Sequence, residues 1–121
     1  MAYFDETKAQ EAKDKGNELF KKGQFPDAIK AYEEGLKRTA DGDCVSNGQL
    51  FPNSFIFQDM KAKLLSNRAG CYSKLMEFHR AQKDCEEALK YKPDFVKCWI
   101  RKGAVLEAQK QLDNALESYR V

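Results

Sequence analysis

The chain has 121 residues, with 21 Lys or Arg against 19 Asp or Glu and a net charge of +2, a balance that argues against a general nucleic-acid binder, which carries a clear basic excess. Its 42% hydrophobic and 12% aromatic residues can furnish one packed domain over residues 1–121, and a mean hydropathy of −0.72 indicates a charged surface. No stretch approaches the roughly 18 apolar residues of a membrane helix, and MAYFDETKAQ has no signal-peptide core, so a soluble, cytoplasmic chain is expected.

In chain order, the pattern predicts a first helix from Thr7 to about Lys22, with Gly23-Gln24 as the turn. A second opens at Pro26, a residue suited to a first helical turn, and ends near Arg38, before Ala40-Asp41-Gly42-Asp43. Residues 43–61 hold Leu50, Phe51, Phe55, Ile56, Phe57 and Met60, too apolar for a free loop. Phe57, Met60 and Leu64 recur at helical spacing and Ser54 suits a cap, so a long third helix is expected from about Ser54 to Leu75. A fourth covers roughly His79 to Tyr91 and is stopped by Pro93. Asp94 stands where it can cap a fifth helix running to about Lys110, and a last helix begins near Asp113.

Three of these stretches repeat. With units starting at Ala9, Ala62 and Val96, position 8 is small each time (Gly16, Ala69, Gly103) and position 11 is large and apolar (Leu19, Tyr72, Leu106). Position 20 is always alanine (Ala28, Ala81, Ala115), and position 24 reads Tyr32, Cys85, Tyr119. Small residues at positions 8 and 20 let two helices touch. Large groups such as Trp99, Tyr72 and Tyr32 fill the space beside them, although position 4 of the first unit is only Ala12. The last two units start 34 residues apart and the first two 53 apart, which is 34 plus an insertion of 19 at residues 43–61. A 34-residue period with these residues resembles the tetratricopeptide repeat. The resemblance implies an all-α fold, a right-handed superhelix of helix-turn-helix repeats over residues 9–42, 62–95 and 96–121. The last repeat is incomplete, as in a piece of a longer protein, and the insertion is expected to pack against the repeats rather than to form a second partner surface.

Cys44, Cys71, Cys85 and Cys98 are 27, 14 and 13 residues apart, so none forms the close pair of a zinc or redox site, and reduced, buried thiols are expected. His79 is the single histidine. The chain offers no catalytic constellation, so no enzyme chemistry, metal or cofactor is expected.

The first helix of each unit carries a second stripe, at positions 2, 5, 6, 9, 12 and 13, on a face other than the one turned to its partner helix. In a stack of such pairs it lines the concave side. Six of its side chains are basic (Lys13, Lys21, Lys63, Lys74, Lys97, Arg101) and two acidic (Asp14, Glu107), which concentrates +4 along one groove and leaves −2 elsewhere. Such a field favours an acidic ligand. Lys13/Asn17 and Lys97/Arg101 are i, i+4 pairs with Asn67 between them, a set rich in donors that suits two neighbouring carboxylates.

The motifs K-x-x-x-N (Lys13, Asn17), S-N-R (Ser66, Asn67, Arg68) and K-x-x-x-R (Lys97, Arg101) resemble the carboxylate clamp of chaperone-binding tetratricopeptide domains. The stretches GNELFKKGQFPDAIKAY and SNRAGCYSKLMEFHRAQKDCEEALKYKPDFVKCWIRKGAVLEA are similar to the Hop/Sti type of cochaperone, although the 19-residue insertion departs from that pattern. The resemblance implies docking of peptides ending Glu-Glu-Val-Asp, the tails of cytosolic heat-shock chaperones of the seventy- and ninety-kilodalton classes. It assigns the clamp to Lys13, Asn17, Asn67, Lys97 and Arg101, the valine pocket to Phe20, and contacts with acidic side chains to Ser73 and Lys74. Two alternatives remain: the regulatory part of an enzyme such as an immunophilin prolyl isomerase or a phosphatase, and a scaffold that uses an apolar groove or the aromatic cluster of the insertion.

Overall fold

The computed structural model describes residues 4–39, 44–46, 49–51 and 55–118. Five helices follow one another: α1 (Glu6–Lys21), α2 (Phe25–Lys37), α3 (Phe55–Lys74), α4 (Phe78–Tyr91) and α5 (Val96–Ser118). Each packs on the next, and α3 also lies against α1 and α5, so the three odd-numbered helices line one side of the stack.

The first two units share one turn, down to its hydrogen bonds. Gln24 N donates to Leu19 O and Gly23 N to Phe20 O in the first; Glu77 N donates to Tyr72 O and Met76 N to Ser73 O in the second. This closure requires a left-handed residue after the helix. Gly23 (φ 78°) and Met76 (φ 61°) supply it, although a non-glycine residue is strained there. Neither Gln24 nor Glu77 makes a side-chain cap, so α2 and α4 depend on packing for their entry angle.

The small positions act as the repeat requires. A Cβ on Gly16 would run into the Tyr32 ring, and one on Gly35 would meet Leu64 Cδ2 at 2.8 Å. Ala28, Ala69, Ala81, Leu64 and Cys85 are fully buried. Two continuous clusters form the core, one around Tyr32 and Leu64, the other around Leu65, Phe78, Cys85 and Val105. Cys71, Cys85 and Cys98 are free and buried, and burial pushes the Cys71 thiol up to about 11.

Four features depart from the sequence reading. The α5 helix is continuous through Lys110 and Asp113, with no separate last helix among the described residues. Lys110, the position matching Gly23 and Met76, is neither glycine nor left-handed, and no turn interrupts α5 there. Among the described residues no later helix folds back onto Trp99 and Leu106, which are 51% and 42% exposed. Trp99 instead donates from Nε1 to Pro93 O at 2.8 Å, with Lys102 Nζ 5.6 Å from its ring centre. Phe95, not Asp94, precedes the first turn of α5, because the Lys92–Phe95 turn sets the entry one residue later. Finally, the insertion contains short strands. β2 (Cys44–Ser46) pairs antiparallel with β3 (Gln49–Phe51), Val45 opposite Leu50, and parallel with β1 (Phe4–Asp5). The residues between β2 and β3 are Asn47-Gly48, the dipeptide that two-residue hairpins favour. Met60 is buried. The expected cap at Ser54 and the side chains of Leu50, Phe51, Phe55, Ile56 and Phe57 lie outside the described residues.

Candidate functional site

Asn17 on α1, Asn67 on α3 and Arg101 on α5 project from the three odd-numbered helices into one concavity. A cavity of about 220 Å³ is lined by Asn17, Phe20, Lys21, Tyr32, Asn67 and Arg101. It adjoins one of about 360 Å³, with Phe20 and Arg101 common to both, whose walls include Ser73, Lys74, Lys97 and Ile100. No acidic side chain lines either one.

Hydrogen bonds hold the polar floor. Tyr32 Oη donates to Asn17 Oδ1 at 2.6 Å, and Asn67 Nδ2 donates to the same oxygen at 3.3 Å. Arg101 Nη1 donates to Ser66 Oγ at 2.8 Å and to the Ser66 carbonyl oxygen. Ser66 is buried, so the guanidinium is anchored on α3 while its remaining donors stay available. Gly70 lies beside it: a Cβ there would stand 3.4 Å from Arg101 Cζ, an ordinary contact. Burial, with Cys71 nearby and partly opposed by Arg101, pushes the Tyr32 hydroxyl up to about 12. It therefore stays protonated at neutral pH and can donate.

Arg68, the third residue of the S-N-R motif, faces the other way. Its Nε and Nη2 meet the two Asp84 carboxylate oxygens at 2.8 Å each, and this bidentate pair fastens α3 to α4. Burial pushes the Asp84 carboxyl up, while the Asp84 hydrogen bond raises Arg68 further. The adjacent Ser66 and Asn67 thereby keep a fixed rotation toward the groove.

Seven of the eight site residues named from sequence line these two cavities: Asn17, Phe20, Asn67, Ser73, Lys74, Lys97 and Arg101. Lys13 does not. It lies half-buried one turn before Asn17, outside the walls. Among the described residues no carboxylate pairs with Lys13, Lys74 or Lys97. Sequence reasoning overlooked Tyr32 as a site residue and treated it as filling. The signal was available, because a buried phenol needs a hydrogen-bond partner.

A larger hollow of about 630 Å³ lies between the outer faces of α1 and α2. Glu11, Asp27 and Glu34 alternate there with Lys8, Lys15, Lys30 and Arg38, so it has almost no net field with which to attract an acidic ligand.

The tetratricopeptide-repeat family profile matches residues 13–45 and 72–121. Over 118 residues the chain is 38% identical to Hsp70-Hsp90 organizing protein 3 of Arabidopsis thaliana, covering 98% of this chain and 18% of that protein. It is 41% identical to Hsp70-Hsp90 organizing protein 1 of Glycine max, with 98% and 17% covered. The chain thus spans less than a fifth of these relatives. Among solved structures, the TPR2B domain of yeast Sti1 in complex with an Hsp70 peptide is 37% identical, with a TM-score of 0.68 over 92% of this chain and 74% of that one. The first TPR of Spaghetti (RPAP3), bound to the HSP90 peptide SRMEEVD, is 29% identical, with a TM-score of 0.69 over 95% and 78%. With the repeat spacing, the helix pairs and the matched profile in agreement, this chain belongs to the tetratricopeptide-repeat family.

Proposed function

We propose that this chain is a non-enzymatic adaptor module that holds the C-terminal tail of a cytosolic heat-shock chaperone, ending Glu-Glu-Val-Asp, by two carboxylates. The observation that carries the reading is a groove in which two asparagine amides and the cations Lys21, Lys74, Lys97 and Arg101 converge with no acidic side chain in the walls. An extended peptide that ends in aspartate presents its terminal carboxylate and a side-chain carboxylate side by side. Asn17 and Asn67, with Lys13 above them, would take the terminal carboxylate; Lys97 and Arg101 would take the aspartate side chain. Phe20 offers an apolar wall to the valine, and Ser73 and Lys74 meet the preceding acidic side chains. The solved relatives with Hsp70 and HSP90 peptides support this reading, as do the organising proteins that share the sequence. A cytoplasmic setting goes with it.

The test is titration with a Glu-Glu-Val-Asp peptide and its C-terminally amidated form. Arg101→Ala and Lys97→Ala are each expected to weaken the free-acid peptide by about tenfold or more, since charge-assisted bonds contribute roughly 1.5–3 kcal/mol. Equal affinity for the two peptides would overturn the clamp. Binding that is indifferent to salt would instead favour an apolar groove.

A further inference from the structure

An asparagine amide has two opposite ends, a carbonyl oxygen that accepts and an NH2 that donates. Turned one way, Asn17 offers hydrogens to a carboxylate; turned the other way, it opposes that carboxylate with an oxygen. Binding an anion therefore requires something to choose the orientation. We propose, building on the clamp reading, that Tyr32 is a positioning residue that sets the Asn17 amide so that its Nδ2 hydrogens face the ligand.

The geometry supplies the means. Asn17 Oδ1 accepts from Tyr32 Oη at 2.6 Å and from Asn67 Nδ2 at 3.3 Å, while no described residue accepts from Asn17 Nδ2. The asparagine pair alone is ambiguous, because flipping both amides would preserve a bond between them. The phenol breaks the tie. Tyr32 is 1% exposed, so its hydroxyl proton needs an acceptor, and among the described residues Asn17 Oδ1 is the one it has. The ring cannot slide away, because Gly16 of α1 lies directly against it. A hydroxyl pushed up to about 12 keeps this proton at neutral pH, where a peptide carboxylate is ionised. A residue at a packing position thus imposes donor polarity on a binding position 15 residues earlier in the chain.

The experiment is a double-mutant cycle of Tyr32→Phe and Asn17→Ala, read by calorimetric titration with free-acid and amidated Glu-Glu-Val-Asp peptides, with unfolding temperature followed in parallel. Tyr32→Phe is expected to weaken the free-acid peptide by about 3- to 10-fold, a share of one charge-assisted bond, to leave the amidated peptide unchanged, and to have no further effect in the Asn17→Ala background. Wild-type discrimination between the peptides together with unchanged affinity in Tyr32→Phe overturns the Tyr32 proposal and leaves the clamp standing. Equal losses in both backgrounds also overturn it, because Tyr32 would then act through packing. Equal wild-type affinity for the two peptides removes the clamp and this role together. Should Tyr32→Phe not fold, wild-type NMR decides: Asn17 Nδ2 hydrogens that shift with the free-acid peptide alone support the orientation, and hydrogens bonded to the Tyr32 oxygen overturn it.

Discussion

The α1–α2 pair and α5 carry the same pattern of small and large residues but use it differently. Gly16 is pressed against the Tyr32 ring, whereas a Cβ on Gly103, at the same place in its unit, would meet nothing within 4 Å. Tyr32, and Leu64 of α3 that packs in the same cluster, are sealed, whereas Trp99 and Leu106 face solvent. The pattern is a capacity for contact, and it contributes to stability only where a second helix folds back onto it. The two returns each contain one left-handed residue, Gly23 and Met76, and Lys110 at the matching place is not left-handed.

The largest expected effect comes from leucines on the two sides of this contrast. Leu64→Ala should cost about 2–5 kcal/mol by leaving a cavity in the core, and Leu106→Ala should stay within about 0.5 kcal/mol; denaturant unfolding measures both. Comparable losses would break the contrast. The glycines come next. Gly16→Ala should destabilise by about 1–3 kcal/mol through overpacking against Tyr32 and weaken peptide binding with it. Gly103→Ala, in an open helix interior, should stabilise by up to about 1 kcal/mol. A smaller effect concerns the turn: Met76→Gly should gain up to about 1 kcal/mol by relieving left-handed strain, since the Met76 side chain is 59% exposed and contributes little packing.

The smallest effect is electrostatic and lies where α3 begins. Asp59 bonds Lys92 at 2.6 Å and Lys63 at 2.9 Å. Burial raises its carboxyl, but the bonds and charges of Lys92 and Lys63 outweigh burial and hold it below its usual 3.8. A carboxyl lowered in the folded state adds stability above its unfolded pKa and loses it as pH falls through the folded one. Asp59→Asn should therefore cost under about 1 kcal/mol at pH 7, and the gap to wild type should close in acid.

Much of the architecture was legible because short-range periodicity carries it. The 34-residue period, the turn at Gly23-Gln24 and the boundaries of the first four helices needed only small residues and breakers at fixed offsets. The groove was legible too, since a stripe at i+3 and i+4 steps is a property of any helix. The β2–β3 hairpin is absent from the sequence reading although Asn47-Gly48 signals it, because the helix expected from about Ser54 rests on Phe57, Met60 and Leu64 and the earlier apolar residues of the insertion are given no element.

Local pattern was enough to establish which faces exist and what charge each one bears. It was not enough to establish whether a face is covered, as Trp99 and Gly103 demonstrate, since covering depends on a chain reversal far from the residues that benefit. Nor did it orient the polar groups. Tyr32 and Asn17 are 15 residues apart and on different helices, and Ser66 and Arg101 are 35 apart. Only helices already in place bring such donors and acceptors within bonding distance, because hydrogen bonds act over about 3 Å while sequence periodicity stops at the end of each helix.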